Sequence, residues 1–327
     1  MGAISYRCAA WIALIAAIGV GAAPAAAQPY SNRPITLVVP FPPGGSATII
    51  ARIIADKMSE ALGQQIVVDN RGGAGGSIAA RQVAKSAPDG STLLLAFTGT
   101  LAVSPLIFAN VGYDPRKDFA AIGLIGMAPS VLAVNPSVPA HSVAELIKIA
   151  KAAPGQMQYG SPGIGTTNHL AGELLASIAG IKITHIPYKG TGPAITDLLG
   201  GHISMMFAPI PAAHGNVSSG MLRALGVTSL KRSNLWPDIP TIAEAGLPGF
   251  EVVQRSTLLA PAGTPRHIIE RLNKELNAVL ATEEVRKRLA VEGGEPVPGA
   301  PEEYAADIDR EEMRWSKLVT AIGLKGE

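Results

Sequence analysis

The feature of this sequence that most restricts its fold is a repeated order of short apolar strand, glycine-rich loop and helix. Residues 34–40 form a β-branched apolar run, typical of a strand buried on both faces of a sheet. A loop rich in Gly and Pro follows at 41–46, and apolar residues then recur at helical spacing from Ile49 to Met58. Such repetition requires right-handed crossovers between parallel strands. The sequence therefore predicts an α/β protein with a mainly parallel sheet.

The same unit recurs along the rest of the chain, and two α/β halves are expected. The predicted strands cover residues 34–40, 65–70, 91–97, 131–134, 158–161, 183–186, 202–207, 222–227 and 254–260. The predicted helices cover residues 49–63, 78–87, 143–153, 168–180, 193–199, 265–280, 283–289 and 301–322. Ser142 is expected to cap its helix in a capping box with Glu145 at the third helical position.

Residues 1–27 have the pattern of a secretory signal peptide. A start with one positive charge precedes an apolar stretch at 8–21, and small residues at 25–27 resemble a cleavage site. The apolar stretch is shorter than the roughly 20 residues of a membrane-spanning helix. We expect cleavage after Ala27 and a periplasmic location; retention as an uncleaved membrane anchor is the alternative.

Composition excludes several classes of protein. Lys and Arg number 27 against 25 Asp and Glu, a balance without the basic excess that nucleic-acid binding needs. The single cysteine, Cys8, lies in the predicted signal peptide, so the mature chain would offer no thiolate. The six histidines show no H-E-x-x-H spacing, and the chain lacks dinucleotide and phosphate-loop motifs. We therefore expect no metal, no cofactor and no nucleic-acid partner.

Three loops at predicted strand ends consist mainly of small, uncharged residues. They cover residues 44–48, 72–77 and 163–167. In an open parallel sheet, ligands bind beyond the carboxyl ends of the strands, where helices begin. A helix start offers unpaired N–H groups and partial positive charge, and small residues let an anion approach them. The loops are thus candidate anion-binding sites; the alternative is that the glycines serve only tight turns.

One loop approaches the sequence of a hydrolase nucleophile elbow. The segment 75–79 reads GGSIA, and it ends in Ala where the G-x-S-x-G motif has Gly. We expect no catalytic residue and no enzyme activity. An exported serine hydrolase using Ser77 stays open as an alternative.

Short segments in order along nearly the whole predicted mature chain carry a family resemblance. They are PITLVVPFPPGG at 34–45, IAR at 50–52, VVDNRGGAGGS at 67–77, PDGSTLLL at 88–95, YDPRKDF at 113–119, YGSPGIG at 159–165, HL at 169–170, IPYKG at 186–190, PTIAEAGLPGF at 240–250 and LAPAGTP at 259–265. Together these segments resemble the Bug-type substrate-binding proteins of tripartite tricarboxylate transporter systems.

The resemblance implies a two-domain periplasmic binding protein of type II, a Venus flytrap in which each domain is a mainly parallel sheet flanked by helices. Domain 1 would comprise residues 28–127 plus 228–327, and domain 2 residues 128–227, with crossing segments near 127–131 and 226–229. The ligand would be a mono-, di- or tricarboxylate, aromatic ones included, held largely by backbone groups, hydroxyls and water.

The resemblance also implies a monomer that delivers its small organic anion to inner-membrane permease subunits. A ligand-sensing component that signals to a sensor kinase of a two-component system is the alternative, and the sequence does not separate the two.

The strand-end positions and the resemblance together indicate a set of ligand-binding residues. They are Phe41, Pro42, Gly44, Gly45, Ser46, Thr48, Gly72, Gly73, Ala74, Gly75, Thr98, Thr100, Gly163, Gly165, Thr166, Thr167, His169, Tyr188, Phe207, Ala208, Arg255 and Ser256.

Two positions depart from the family pattern and bear on specificity. Thr48 stands where members often have an acidic residue, which argues against an amino-acid ligand that needs an ammonium partner. Arg255-Ser256-Thr257 stands where members often have Trp, an aromatic residue and Gly. Arg255 is expected to offer a bidentate contact to a second carboxylate if it faces the cleft. It points outward in the alternative, because side chains alternate along a strand.

Overall fold

The computed structural model describes residues 33–325, so the predicted signal peptide and its cleavage site lie outside the described residues. The strands are β1 (Ile35–Val39), β2 (Ile66–Asn70), β3 (Thr92–Phe97), β4 (Phe119–Val134), β5 (Gln158–Ser161), β6 (Thr184–Pro187), β7 (Met205–Pro209), β8 (Arg223–Val227), β9 (Val253–Pro261) and β10 (Glu295–Pro296). The helices are α1 (Ser46–Leu62), α2 (Ser77–Ala84), α3 (Ser104–Ile107), α4 (Val143–Ala152), α5 (Thr167–Ala179), α6 (Thr191–Leu199), α7 (Ile210–Ser218), α8 (Arg266–Ala281), α9 (Glu283–Val291) and α10 (Glu303–Ile322). Within residues 33–325, no helix has both the length and the apolar character required to cross a bilayer.

The strands pair in the order β2-β1-β3-β9-β4-β7-β5-β6, and β8 and β10 also pair with β4. Strand β1 is parallel to β2 and β3, and β5 is parallel to β6 and β7, as the strand–loop–helix order predicts. Among the described strands, every antiparallel pair involves β4 or β9. The α/β fold is therefore confirmed, with two parallel sets of strands on either side of a long antiparallel ladder.

Strand β4 joins the two parallel sets, and sequence reasoning predicted only its last four residues. Residues Phe119–Pro129 pair with β9, and from Ser130 onward the partners are β7 and β8. The pairing with β9 has register irregularities beside Gly123 and Gly126, so the first part lacks the alternation that marks a strand. Gly126 is required there, because a Cβ would lie 2.7 Å from the carbonyl oxygen of Glu295.

The change of partner in β4 coincides with a buried polar contact. Thr228, directly after β8, is fully buried and donates its N–H to the carbonyl of Ser130 at 2.9 Å. The Ser130 N–H in turn donates to the Thr228 hydroxyl oxygen at 2.8 Å. These paired bonds satisfy backbone groups that the shift from one ladder to the next would otherwise leave without partners. They lie within the two segments predicted to cross between domains.

The core consists of strand residues that are apolar on both sheet faces, together with the apolar faces of the helices. Leu94, Leu132 and Phe207 are fully buried in one cluster that also includes Trp315 of α10. Helix α10 packs against α5 and against the π-helical turn Gly99–Val103. The C-terminal helix therefore contacts elements that belong to both of the predicted domains.

Helix ends follow the predicted chemistry with one difference. The Ser142 hydroxyl accepts a hydrogen bond from the Glu145 N–H at 3.1 Å, which confirms the predicted cap of α4. The Glu145 carboxylate, however, accepts from the N–H of His141, one residue before the cap, at 2.6 Å. Helix α7 was missed, because its sequence IPAAHGNVS contains Pro and Gly and lacks a clear helical period.

Helix α5 approaches β5 closely at Gly172, which yields a stability prediction. A Cβ at Gly172 would lie 2.2 to 2.7 Å from three ring atoms of the fully buried Tyr159. Gly172→Ala is therefore expected to lower the free energy of unfolding by about 1–3 kcal/mol through overpacking, measured by urea denaturation.

The matched control is Gly215→Ala in α7, where nothing lies within 4 Å of the added Cβ. There, better helix propensity should leave stability equal or raise it by up to about 1 kcal/mol. Equal stability of the two variants would contradict the close approach at Gly172.

Candidate ligand-binding site

The loop after β1 is held in place by an amide that sequence reasoning did not single out. Asn70, the last residue of β2, donates from Nδ2 to the carbonyl of Phe41 and to the hydroxyl of Thr48, both at 2.8 Å. Thr48 is buried, so its hydroxyl accepts the Asn70 hydrogen bond on the interior side of the loop. Gly45 precedes the first residue of α1, Ser46, and no side chain caps that helix. Among residues 33–325, no side chain caps the first backbone N–H groups of α1.

The loop after β2 is shaped by positive φ angles. Gly73, Gly75 and Gly76 have φ of +128°, +62° and +92°, and Ala74 has φ of +47°. Ala74 is the one non-glycine residue with positive φ among the described residues, a conformation that costs on the order of 1 kcal/mol or more. Glycine suits the other three positions because it adopts positive φ without the steric cost that a side chain brings.

The loops after β1, β2 and β3 also pack against one another. A Cβ on Gly72 would lie 2.7 Å from Cδ of Pro42. The hydroxyl of Thr100 donates to the carbonyl of Gly75 at 3.1 Å, and a Cβ on Gly76 would lie 2.4 Å from that hydroxyl oxygen. The glycines of these loops therefore serve close packing as well as turns.

The segment after β3 forms the π-helical turn Gly99–Val103, a conformation found frequently at functional sites. Thr98, which precedes it, is buried, and its hydroxyl accepts from the backbone N–H of Arg255 at 3.0 Å. Thr100 is also buried. Both hydroxyls therefore fix neighbouring backbone.

The loop after β5 leads directly into α5. The Thr166 hydroxyl accepts from the N–H of His169 at 3.4 Å and donates to the carbonyl of Gly163 at 2.7 Å. The Thr167 hydroxyl donates to Oε1 of Gln254 in β9 at 3.1 Å. Asn168 donates from Nδ2 to the carbonyl of Phe207 at 2.6 Å. Gln254 and Asn168 were not predicted, because polar residues at such positions have no distinguishing pattern in the sequence.

The loops of the two parallel strand sets meet at one place. A Cβ on Gly99 would lie 2.7 Å from the carbonyl oxygen of Gly165 and 3.5 Å from Cα of Thr166. A Cβ on Gly75 would lie 3.6 Å from the carbonyl oxygen of Ile164. The structure therefore brings together the glycine-rich loops that follow β2, β3 and β5, and their backbones are in direct contact.

A cluster of ring side chains underlies the loop after β5. The rings of His169 and His185 are stacked with centroids 3.8 Å apart and an interplanar angle of 15°. The pKa of His185 is lowered to about 3, mainly by burial and to a smaller extent by the nearby His169. Burial would raise the pKa of Glu173, but hydrogen bonds from His169 and Tyr159 bring it below its ordinary value. His169, predicted to contact ligand, is 2% exposed and contacts the loop backbone from inside the protein.

Tyr188, which follows β6, and the predicted residues of β7 are placed differently from those of the loops. The Tyr188 hydroxyl donates to Oδ2 of Asp197 at 2.7 Å, and burial raises the pKa of Tyr188 to about 12. Phe207 and Ala208 are fully buried in β7, and the Phe207 ring stacks on Phe250 with centroids 6.0 Å apart. Ligand contact by these residues stays a prediction.

Arg255 lies between two carboxylates of α10. Its Nε is 3.1 Å from Oδ1 of Asp307, and its Nη1 is 2.7 Å from Oε1 of Glu311. Burial raises the pKa of Glu311, and the charge of Arg255 counteracts that rise. Ser256 donates from its hydroxyl to the carbonyl of Gly126 at 3.1 Å. The predicted contact of Arg255 with a ligand carboxylate stays a prediction, but its guanidinium already has two anionic partners.

Ser77 does not have the surroundings of a serine nucleophile. Ser77 is 1% exposed. Within the described residues its hydroxyl oxygen has no hydrogen-bond partner, so no histidine is placed to act as its base. A nucleophile elbow instead presents an exposed hydroxyl beside a histidine. The geometry therefore does not favour the hydrolase alternative.

Comparison with known proteins shows which family the chain is similar to. A family model described as the tripartite tricarboxylate transporter family receptor matches residues 50–324. The structure of Rpa4515 from R. palustris with adipate is 39% identical, with a TM-score of 0.85 over 90% of this chain and 98% of that chain. The structure of the periplasmic binding protein BugD is 35% identical, with a TM-score of 0.82 over 91% of this chain and 100% of that chain.

A third solved structure contains a different carboxylate ligand, malate. MatC (Rpa3494) from Rhodopseudomonas palustris with bound malate is 33% identical, with a TM-score of 0.80 over 88% of this chain and 99% of that chain. These similarities confirm the predicted fold class and the predicted resemblance. The chain belongs to the tripartite tricarboxylate transporter receptor family, as a solute-binding protein of the Bug type.

Proposed function

We propose that this protein is a periplasmic receptor that encloses one organic carboxylate between two domains and delivers it to a membrane permease. The observation that carries the proposal is the meeting of uncharged backbone loops at the ends of β2, β3 and β5. The adipate and malate bound by the two Rhodopseudomonas relatives support the same ligand class.

The electrostatics of the loops suit an anion. Helices α1, α2 and α5 begin beside the loops, and none has an acidic residue in its first turn. Each helix start contributes about 0.3–2 kcal/mol to anion binding. Each hydrogen bond to a charged group contributes about 1.5–3 kcal/mol. A few of each reach the roughly −8 kcal/mol of a micromolar complex, so no lysine or arginine is required in the site.

The domains in this proposal are residues 28–127 plus 228–327, and residues 128–227. Support comes from β4, whose partners change at Ser130, and from the bonds between Ser130 and Thr228 at the same level. Loops from both proposed domains are in contact at Gly99 and Gly165, as expected of a closed form. A ligand held by both sets of loops stabilises closure, because only the closed form lets both contact it.

The first prediction concerns binding of carboxylates. Isothermal titration of ligand-stripped protein with succinate, malate, adipate and benzoate should detect at least one complex of about micromolar affinity or tighter. Adipamide, which has the length of adipate without its charges, is the matched control and should not bind. A folded protein that binds none of the carboxylates, or binds adipamide equally well, would refute the proposal.

The second prediction tests the contact between the loops. In Gly99→Ala the added Cβ meets the Gly165 carbonyl, so closure is opposed by about 1–3 kcal/mol of overpacking. Affinity for the carboxylate found by titration should fall about tenfold or more. Gly192→Ala in α6 is the control, since nothing lies within 4 Å of its added Cβ. Unchanged affinity in Gly99→Ala would place the ligand elsewhere.

The third prediction concerns Arg255 and uses Arg310 as its control. Arg255→Ala leaves the buried Glu311 without its cation, so stability should fall by about 3 kcal/mol in urea denaturation. The affinities for a monocarboxylate and a dicarboxylate should fall by the same factor, because the guanidinium is already paired. Arg310→Ala, which removes an exposed partner of Asp307, should change the stability and the carboxylate affinities little. A dicarboxylate loss about tenfold larger than the monocarboxylate loss would instead identify Arg255 as a ligand contact.

A further inference from the structure

The stacked pair His169 and His185, named here the histidine stack, has no assigned role in anion binding through backbone loops. His169 lies on α5 and His185 on β6, so the two rings come from separate elements. One ring nitrogen of each histidine faces the loop after β5. Nδ1 of His169 bonds to the backbone N–H of Gly165, and Nε2 of His185 bonds to the hydroxyl of Ser161. The stack therefore lies directly beneath a loop of the candidate site.

The hydrogen bond from the backbone determines the tautomer of His169. The N–H of Gly165 donates to His169 Nδ1 at 3.1 Å. An N–H donates only to a ring nitrogen that carries no proton, so the proton of neutral His169 is on Nε2. That nitrogen is 3.7 Å from Oε1 of Glu173, a carboxylate that its hydrogen bonds keep ionised. His169 thus accepts from the loop on one side and faces an anion on the other.

The second ring supports the beginning of the same loop. Nε2 of His185 is 2.7 Å from the hydroxyl oxygen of Ser161. That hydroxyl accepts from the Gly163 N–H at 3.1 Å and is 3.0 Å from the Gly163 carbonyl oxygen. The hydroxyl has one proton, so it donates either to the Gly163 carbonyl or to His185 Nε2, depending on the tautomer of His185. The two rings therefore fix the loop backbone at Gly163 and at Gly165.

The surroundings of the stack disfavour two charged rings. Two imidazolium cations stacked 3.8 Å apart would repel each other strongly in a buried site. The titratable groups facing the rings are Glu173 on α5 and Tyr159 on β5, which are hydrogen-bonded to each other at 2.6 Å. Burial keeps the pKa of Tyr159 above its ordinary value, so Tyr159 stays neutral and Glu173 supplies the one negative charge.

We propose that His169 is a positioning residue of the ligand site: its Nδ1 accepts the hydrogen bond from the Gly165 amide and thereby holds the loop 163–167 in its binding conformation. Protonation of Nδ1 replaces an acceptor with a donor, so the Gly165 N–H loses its partner and the loop is released. Loss of this acceptor therefore lowers the affinity for an anion that the loop binds. The effect on affinity rests on the proposed function, whereas the loop geometry does not.

The first test needs no ligand. Long-range proton–nitrogen NMR spectra of protein labelled with ¹⁵N-histidine should show His169 in the Nε2–H tautomer that the hydrogen bond from Gly165 requires. Hydrogen exchange of the Gly165 amide should be slow in the wild type and in His169→Asn, whose Oδ1 replaces Nδ1 as acceptor, and fast in His169→Ala. An Nδ1–H tautomer, or equal exchange in the two variants, would overturn the proposal even if no carboxylate binds.

The second test uses adipate as the probe, titrated into each variant at one neutral pH. His169→Ala should bind about tenfold more weakly than wild type, and His169→Asn should retain affinity because its Oδ1 replaces the acceptor. His267→Asn, which removes an exposed histidine of α8, is the control and should behave as wild type. Equal losses in the Ala and Asn variants would contradict a positioning role. If adipate does not bind, the proposed ligand class is at fault, and the amide exchange of Gly165 still decides the role of His169.

Discussion

The candidate site depends on one constraint: backbone segments approach each other closely at glycine residues, which have no side chain. Where Gly99 faces the Gly165 carbonyl, a single methyl group on Gly99 would lie 2.7 Å from an oxygen atom. Interiors packed to this density do not absorb an added methyl without moving a neighbour. The glycines therefore permit two groups of loops to meet.

The polar side chains near these loops support them instead of competing with an anion. Asn70, Thr98 and Thr100 each bond to the backbone of a neighbouring segment, and none carries a charge. The cation that the sequence offered for the site, Arg255, is paired with Asp307 and Glu311. A preorganised backbone loses little conformational entropy when it binds, which suits the proposed receptor function.

Most of the fold was predictable because strands buried on both faces leave continuous apolar runs, and helices leave a periodic stripe. The first part of β4 was not, because its register irregularities and glycines remove the alternation that identifies a strand. Antiparallel pairing of β4 and β9 also left no local trace, since it depends on where the chain crosses between the parallel strand sets. The resemblance to Bug-type receptors, by contrast, was carried by short segments along the whole chain and agrees with the family match.

The sequence by itself determined the alternation of strands and helices, the glycine-rich loops at strand ends and the lack of charge in those loops, because these are properties of neighbouring residues. Only the tertiary structure decided which loops meet, that Arg255 is paired with α10, and that His169 and His185 are stacked beneath residues 163–167. Those arrangements join residues that are far apart in the chain, such as Arg255 and Glu311, which are 56 positions apart. Their geometry is set by how the sheet and helices pack, and local sequence does not encode that packing.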